Sequence, residues 1–259
     1  MRRPLPLLLA LFLSAPVAAR AADEGFEKIF NGKDLSGWEG DPKLWSVKDE
    51  AITGITDGKI PNNSFIIWKG TVANFELKLK FKLVGGNSGV QYRSKRIGKP
   101  ESYIIAGYQA DIDSAGKRKQ ETTGILYEEQ GRAYLCNRGT KTWIDVDGTR
   151  YEQRFAESEE LVKTLHADEW NDYHIVAKGN HLTHMINDKL FAETIDFQKD
   201  KAAADGLLAF QIHRGLGDMV IQFKDILLKK LPQGGELSPE QMPIPKDAKV
   251  VAAPKPKKN

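Results

Sequence analysis

From Phe75 to Val84 the chain reads Phe-Glu-Leu-Lys-Leu-Lys-Phe-Lys-Leu-Val, with Phe75, Leu77, Leu79, Phe81 and Leu83 on one side and Glu76, Lys78, Lys80 and Lys82 on the other. Successive side chains leave a pleated backbone in opposite directions, so this period of two predicts a half-buried β-strand. Gly85-Gly86-Asn87-Ser88-Gly89 follows directly. Its glycines accept positive φ and close backbone approach, which predicts a tight connection and a returning strand from Gly89. On that strand Val90 and Tyr92 point one way, Gln91 and Arg93 the other.

The same alternation recurs along the chain. Trp45-Ser46-Val47 and Ala51 to Ile55 bracket Lys48-Asp49-Glu50 as a hairpin, and Ser64 to Trp68 is a further short strand. Between Tyr103 and Asp113, Gly107, Gln109, Asp111 and Asp113 share one face, and Ala106, Tyr108, Ala110 and Ile112 the other. Thr123 to Tyr127 continues the pattern. Trp170 to Ala177, His181 to Ile186 and Lys189 to Phe191 are parted by Gly179-Asn180 and Asn187-Asp188, which reads as a meander. In Leu207 to His213, Leu208, Phe210 and Ile212 oppose Ala209, Gln211 and His213, and Met219 to Leu228 supplies a closing strand. A helix is hinted at only in residues 156–166, through Leu161, Val162 and Leu165, without a cap. Many short strands parted by turn residues predict an all-β sandwich of antiparallel sheets.

The ends change the picture of where such a domain works. Arg2 and Arg3, an apolar run from Leu5 to Leu13 broken by Pro6, and Ala19-Arg20-Ala21 have the layout of a secretory signal peptide. The run is too short and wrongly flanked to span a membrane. Residues 1–22 are therefore expected to be removed on export, leaving a periplasmic or extracellular protein with one domain over residues 24–231. The single cysteine, Cys136, has no partner for a disulfide and reads as a buried small hydrophobe. Residues 232–259 are rich in Pro and Lys and are expected to be a disordered tail. The formal net charge is +3, but many of the cations lie in the leader, the tail and the Phe75 strand. No nucleic-acid footprint remains once those are set aside.

Three strands share one device, an apolar face opposed by hydrogen-bonding groups. Gln91 with Arg93, Gln109 with Asp111, and Gln211 with His213 are each spaced i, i+2. In one sheet, these amides, cation, carboxylate and imidazole would share a surface suited to a neutral, hydroxyl-rich ligand such as a sugar. Asn87 stands at the turn beside them, and Tyr92, Tyr103, Tyr108 and Tyr127 add stacking surface. The alternative is three solvated strand faces. Familiar catalytic patterns are missing: Ser88 lacks the G-x-S-x-G spacing, and His181 and His184 are set on opposite faces of a strand. Asp111-Ile112-Asp113-Ser114-Ala115-Gly116 begins like a calcium loop but ends on Thr122 where a closing Glu belongs.

Five blocks, Phe30-Asn31-Gly32-Lys33-Asp34-Leu35-Ser36-Gly37-Trp38, Gly86 to Arg93, Thr123-Gly124-Ile125-Leu126-Tyr127, Trp170-Asn171-Asp172-Tyr173 and Leu207 to His213, occur in an order that resembles the 3-keto-disaccharide hydrolase domain family, formerly DUF1080. The resemblance spans roughly Phe26 to Leu231. It implies a concanavalin A-like jelly-roll sandwich of two antiparallel sheets, exported, that cleaves glycosides already oxidised at C3 of the sugar. One departure stands out. Where members often read Gly-Tyr-Glu-Val-Gln-Ile-Leu-Asp, this chain has Gly107-Tyr108-Gln109-Ala110-Asp111-Ile112-Asp113-Ser114. The carboxylate keeps its face but moves by about 7 Å along the strand.

A ketone at C3 acidifies the hydrogen on C2, so a base can remove it and the C1 substituent can leave by β-elimination before water adds back. That chemistry assigns Asp111 or His213 as base, Arg93 as partner of the enolate oxygen, and Glu128 or Tyr127 as acid. Asn87, Gln91, Gln109, Tyr108 and Gln211 would bind the substrate. A divalent metal held by Asp111 and His213 is the alternative electrophile. Two rival readings are a non-catalytic, lectin-like carbohydrate-binding module and an envelope scaffold held by its basic tail.

Overall fold

The computed structural model describes residues 24–251, in which eighteen strands form two facing sheets. The first third of the chain holds β1 (Glu27–Lys28), β2 (Trp38–Glu39), β3 (Trp45–Lys48), β4 (Ala51–Thr56), β5 (Ser64–Val72) and β6 (Phe75–Val84). Then come β7 (Asn87–Arg96), β8 (Ile105–Asp113), β9 (Leu126–Glu129), β10 (Ala133–Cys136), β11 (Thr140–Ile144) and β12 (Arg150–Arg154). The last third adds β13 (Asn171–Lys178), β14 (His181–Ile186), β15 (Lys189–Asp196), β16 (Gly206–Ile212), β17 (Met219–Lys230) and β18 (Lys249–Val251). One sheet runs β18-β12-β11-β15-β14-β13-β6-β17-β4-β3, with β1 also on β17; the other runs β10-β9-β8-β7-β16-β5-β2. Pairing is antiparallel except between β11 and β15, which are parallel. The all-β sandwich expected from the alternation is the observed fold.

The alternation places the core. Phe75, Leu77, Leu79, Phe81 and Leu83 of β6 are buried against Val90 and Tyr92 of β7, Tyr108, Ala110 and Ile112 of β8, and Leu208, Phe210 and Ile212 of β16. Each Val, Leu, Ile or Phe side chain among them contributes roughly 1.5–3 kcal/mol when fully removed from water. Phe210 joins the layers, stacked on Trp38 at 5.0 Å and on Phe223 at 4.0 Å. The β6–β7 connection needs its glycines. Gly85 has φ 70°, and a β-carbon there would lie 2.3 Å from the Asp218 carbonyl oxygen. The α-helix among the described residues, α1 (Ser158–Val162), lacks a side-chain cap and seats Leu161 in the core. Cys136 is buried and unpaired. None of the described helices is long and apolar enough to cross a membrane.

Residues 232–251 differ from the disordered tail that composition predicts. Leu237, Met242 and Ile244 pack against Trp143, Ile195 and Phe197. The Asn180 amide grips the backbone of Leu237 in both directions, at 3.1 and 2.7 Å, and β18 pairs with β12. Prolines bar a regular ladder but do not prevent single apolar side chains from docking. The expected leader, residues 1–22, falls outside the described residues, as do the last eight positions.

Candidate functional site

Alternation on β7, β8 and β16 sends Tyr92, Tyr108 and Phe210 inward, so Gln91, Gln109, Asp111 and Gln211 emerge on the outer face of the smaller sheet. Gln91 and Gln109 sit directly opposite each other in the β7–β8 register. Gln91 Nε2 donates to Gln109 Oε1 at 2.9 Å, and Ser94 Oγ donates to Gln91 Oε1 at 2.7 Å. Gln109 Nε2 then donates to Asp111 Oδ1 at 2.6 Å and, more weakly, to Gln211 Oε1 at 3.5 Å. Gln211 Nε2 reaches Glu129 Oε2 at 3.4 Å. The result is a buried chain of amides that ends on two carboxyl groups. A satisfied buried polar chain of this kind fixes the rotamers of its members.

Burial pushes the Asp111 carboxyl up to about 7; the hydrogen bonds from Thr122, Gln109 and Asn87 pull the other way, and the neighbouring Asp113 charge adds to the rise. Asn87 Nδ2 is 3.2 Å from Asp111 Oδ2. Burial also raises the Glu129 carboxyl above its ordinary value, against hydrogen bonds from Asn63, Gln130 and Gln211. Asp111 and Glu129 line one polar cleft of about 80 Å³ with Arg118, Tyr127, Tyr134 and His213. Tyr127 and Tyr134 meet edge to face at 5.3 Å, and burial lifts the Tyr127 phenol to about 12. The Arg118 guanidinium pairs with Asp113. Burial works against the Arg118 charge, but Asp113 outweighs it and the group is held cationic. Glu129 also lines a second groove, of about 830 Å³, towards the other end of the same strands.

Three expected site residues lie elsewhere. Arg93 sits in a bulge between Tyr92 and Lys95 with φ 48°, which breaks the alternation and turns its side chain away from Gln91. Its guanidinium instead donates to Ala73 O at 2.8 Å, Gly179 O at 2.7 Å and Asn74 Oδ1 at 3.1 Å, tying loops together. Glu128 lies opposite Tyr108 in the β8–β9 register and shares its inward parity. There it pairs with Arg132 at 2.9 Å, and Arg132 in turn holds Asp196 at 2.7 Å. Tyr108 itself donates to Asp196 Oδ2 at 2.6 Å between the sheets and offers no face to the cleft. The neighbour Glu129 takes the outward position. Parity with Tyr127 is the signal that identifies it, whereas Arg118 and Thr122 come from a loop that carries no period.

The structure thus brings together Asn87, Gln91, Gln109, Asp111, Tyr127, Gln211 and His213 around one outer face. Among the described residues no group of three or more His, Cys, Asp or Glu side chains is placed to hold a metal ion. His213 Nδ1 lies 2.6 Å from the Arg214 carbonyl oxygen. Together, the sheet order and the cleft define a concanavalin A-like jelly-roll domain with a buried carboxyl–amide array on one outer face. The chain belongs to the 3-keto-alpha-glucoside-1,2-lyase-like domain family, which it matches over residues 25–229. It is 30% identical over 95 residues to a 3-keto-disaccharide hydrolase of Bacteroides thetaiotaomicron, a match spanning 33% of this chain and 31% of that protein. Two solved structures from Parabacteroides distasonis, each provisionally named a glycosyl hydrolase, share the fold. One is 21% identical with a TM-score of 0.53, covering 80% of this chain and 99% of the other. The second is 19% identical with a TM-score of 0.54, covering 84% and 99%.

Proposed function

We propose that the protein cleaves glycosides carrying a ketone at C3, by β-elimination followed by hydration. The observation that carries this reading is the buried Asp111 carboxyl, raised to about 7 at the floor of a polar cleft and linked through amides to a second buried carboxyl. A group with a value near neutrality accepts and returns a proton with little penalty either way. Asp111 takes the hydrogen from C2, and the electron pair of that C–H bond delocalises onto the C3 oxygen as an enolate. Arg118 is the cation that lines the cleft and meets that oxygen. As C3=O re-forms, the C1–C2 double bond forms and the C1–O bond breaks, and Glu129 gives its proton to the departing oxygen. Water then adds across the new double bond, hydroxyl to C1 and proton to C2, so the net change is hydrolysis. Gln109 and Gln211 hold the two carboxyls in place throughout.

Export belongs to the same reading and is supported by the Arg2-Arg3 start, the apolar run and the small-residue site near Ala21. Mass measurement of protein recovered from the native host should show residues 1–22 removed.

The direct test follows a 3-keto-disaccharide and its unoxidised parent in deuterated water. Deuterium entering C2 together with cleavage of the oxidised sugar alone is the expected result. A ligand bound and recovered intact, without exchange at C2, would make the domain a carbohydrate-binding module instead.

A further inference from the structure

The second groove lies between the β9–β10 turn and the loop that precedes β16. Ligand pockets for drug-sized molecules run from roughly 300 to 1,000 Å³, so a groove of about 830 Å³ has room for more than one sugar unit. Part of its floor is bare backbone. A β-carbon on Gly107 would stand 2.4 Å from Ser94 Oγ, and one on Gly206 2.4 Å from the Ser94 carbonyl oxygen. Both glycines hold positive φ, 149° and 148°, a conformation that side-chain-bearing residues rarely adopt. The lining includes Lys95, Gln130, Asp200, Lys201 and Asp205, and none of its residues is aromatic. Ammonium, amide and carboxylate groups answer sugar hydroxyls, whereas a flat aryl group finds no ring to stack on.

Glu129 lines both the small cleft and this groove. An acid that protonates the departing oxygen stands beside the bond that breaks, so the two spaces fall on opposite sides of that bond. Resting on the reading above, we propose that the groove holds the leaving group, and that this group is an oligosaccharide of two or more units rather than a single sugar or an aryl alcohol. The enzyme then works on the oxidised end of a chain, with the ketone-bearing unit over Asp111 and the chain running out between Lys95 and Lys201.

The test uses the full protein and matched substrates from the maltose and cellobiose series. These are a disaccharide and a tetrasaccharide, each with the ketone on its non-reducing end, and a 3-keto aryl glucoside. In the series whose linkage is accepted, kcat/KM should be at least ten-fold higher for the tetrasaccharide than for the disaccharide or the aryl glucoside. Lys95→Ala combined with Lys201→Ala, both at exposed positions, should bring that ratio towards one. Calorimetric titration with the unoxidised tetrasaccharide and disaccharide reads the groove without chemistry, and the longer sugar should bind at least ten-fold tighter. Equal kcat/KM and equal binding for both lengths would overturn the groove and leave the catalytic reading standing. Tighter binding of the tetrasaccharide with no turnover of any oxidised sugar would overturn the catalytic reading and retain the groove as a chain-binding site.

Discussion

Gln109 lies across Gly89 on the neighbouring strand, so near that a β-carbon on Gly89 would stand 2.5 Å from Gln109 Cγ and 2.9 Å from its Nε2. Gly89 is opposite Asp111 in the same register, so the missing side chain is what lets the Gln109 amide fold down and donate to Asp111. Gly89→Ala should push Gln109 off the carboxyl. Overpacking of this kind costs about 1–3 kcal/mol. Turnover of a 3-keto-disaccharide is expected to fall at least ten-fold while the protein stays folded, as read by kcat/KM alongside thermal melting.

With Asp111 as the proposed base, rate and stability should both depend on pH, with opposite signs. The base form is needed for catalysis, so kcat/KM should rise with pH through about 7. Its folded value lies above the unfolded one near 3.8, so the native state holds the proton more tightly. That contribution to stability is fully present below pH 3.8 and is lost as pH climbs to about 7, a total on the order of 4 kcal/mol. Asp111→Asn should abolish turnover and flatten the stability slope between those values. Denaturant melts at pH 4, 5.5 and 7.5 on both proteins check the second point, and an unchanged slope would count against Asp111 as its source.

Arg93 and Arg118 should part company on mutation. Arg93 is 3% exposed and ties Ala73, Gly179 and Asn74 together. Arg93→Ala leaves buried acceptors without donors and should cost about 3 kcal/mol, seen as a lowered melting midpoint. Arg118→Ala removes the cleft's guanidinium from a partly exposed side chain. It should lower kcat about 10²–10³-fold, the scale of losing one oxyanion donor, and added guanidinium should restore part of the rate.

Most of the fold is legible because period-two strands carry their own orientation. Alternate residues from Phe75 to Leu83, from Tyr108 to Ile112 and from Leu208 to Ile212 face the core as their period demands. The amide face follows from the same rule, and Gln91, Gln109, Asp111 and Gln211 meet as the spacing implies. Arg93 escapes the rule because a bulge adds residues without changing composition, so parity is lost after Tyr92. Arg118 and Thr122 reach the cleft from a loop, where position depends on tertiary contacts that no local pattern encodes.

The C-terminal segment tests a different kind of legibility. Its prolines and lysines set its average character, yet Leu237, Met242 and Ile244 dock on Trp143, Ile195 and Phe197. Replacing each by Ala should cost about 1 kcal/mol, the ordinary scale for a partly buried side chain. A chain truncated after Leu231 should melt at lower temperature than the full protein. An identical melt would mean that the docked segment contributes nothing to stability.

Glu128 and Glu129 are adjacent, and one step along a strand separates a carboxylate paired with Arg132 from one that lines the cleft. Glu128 turns inward to Arg132, itself held by Asp196 and near the Tyr108 hydroxyl. Glu128→Gln removes one charge from a partly buried network and should lower stability whatever the substrate. Glu129 turns outward, accepts from Asn63 at 3.2 Å and from Gln211 at 3.4 Å, and burial raises its carboxyl above the ordinary value. A general acid matters most when the departing oxygen is a poor leaving group. Glu129→Gln should therefore slow a 3-keto-disaccharide by about 10²–10⁴-fold, yet slow a 3-keto nitrophenyl glucoside far less, because nitrophenolate leaves without help. Comparing the two substrates on the two variants checks this. If Glu129→Gln slows both equally, the proton for the departing sugar comes from another group.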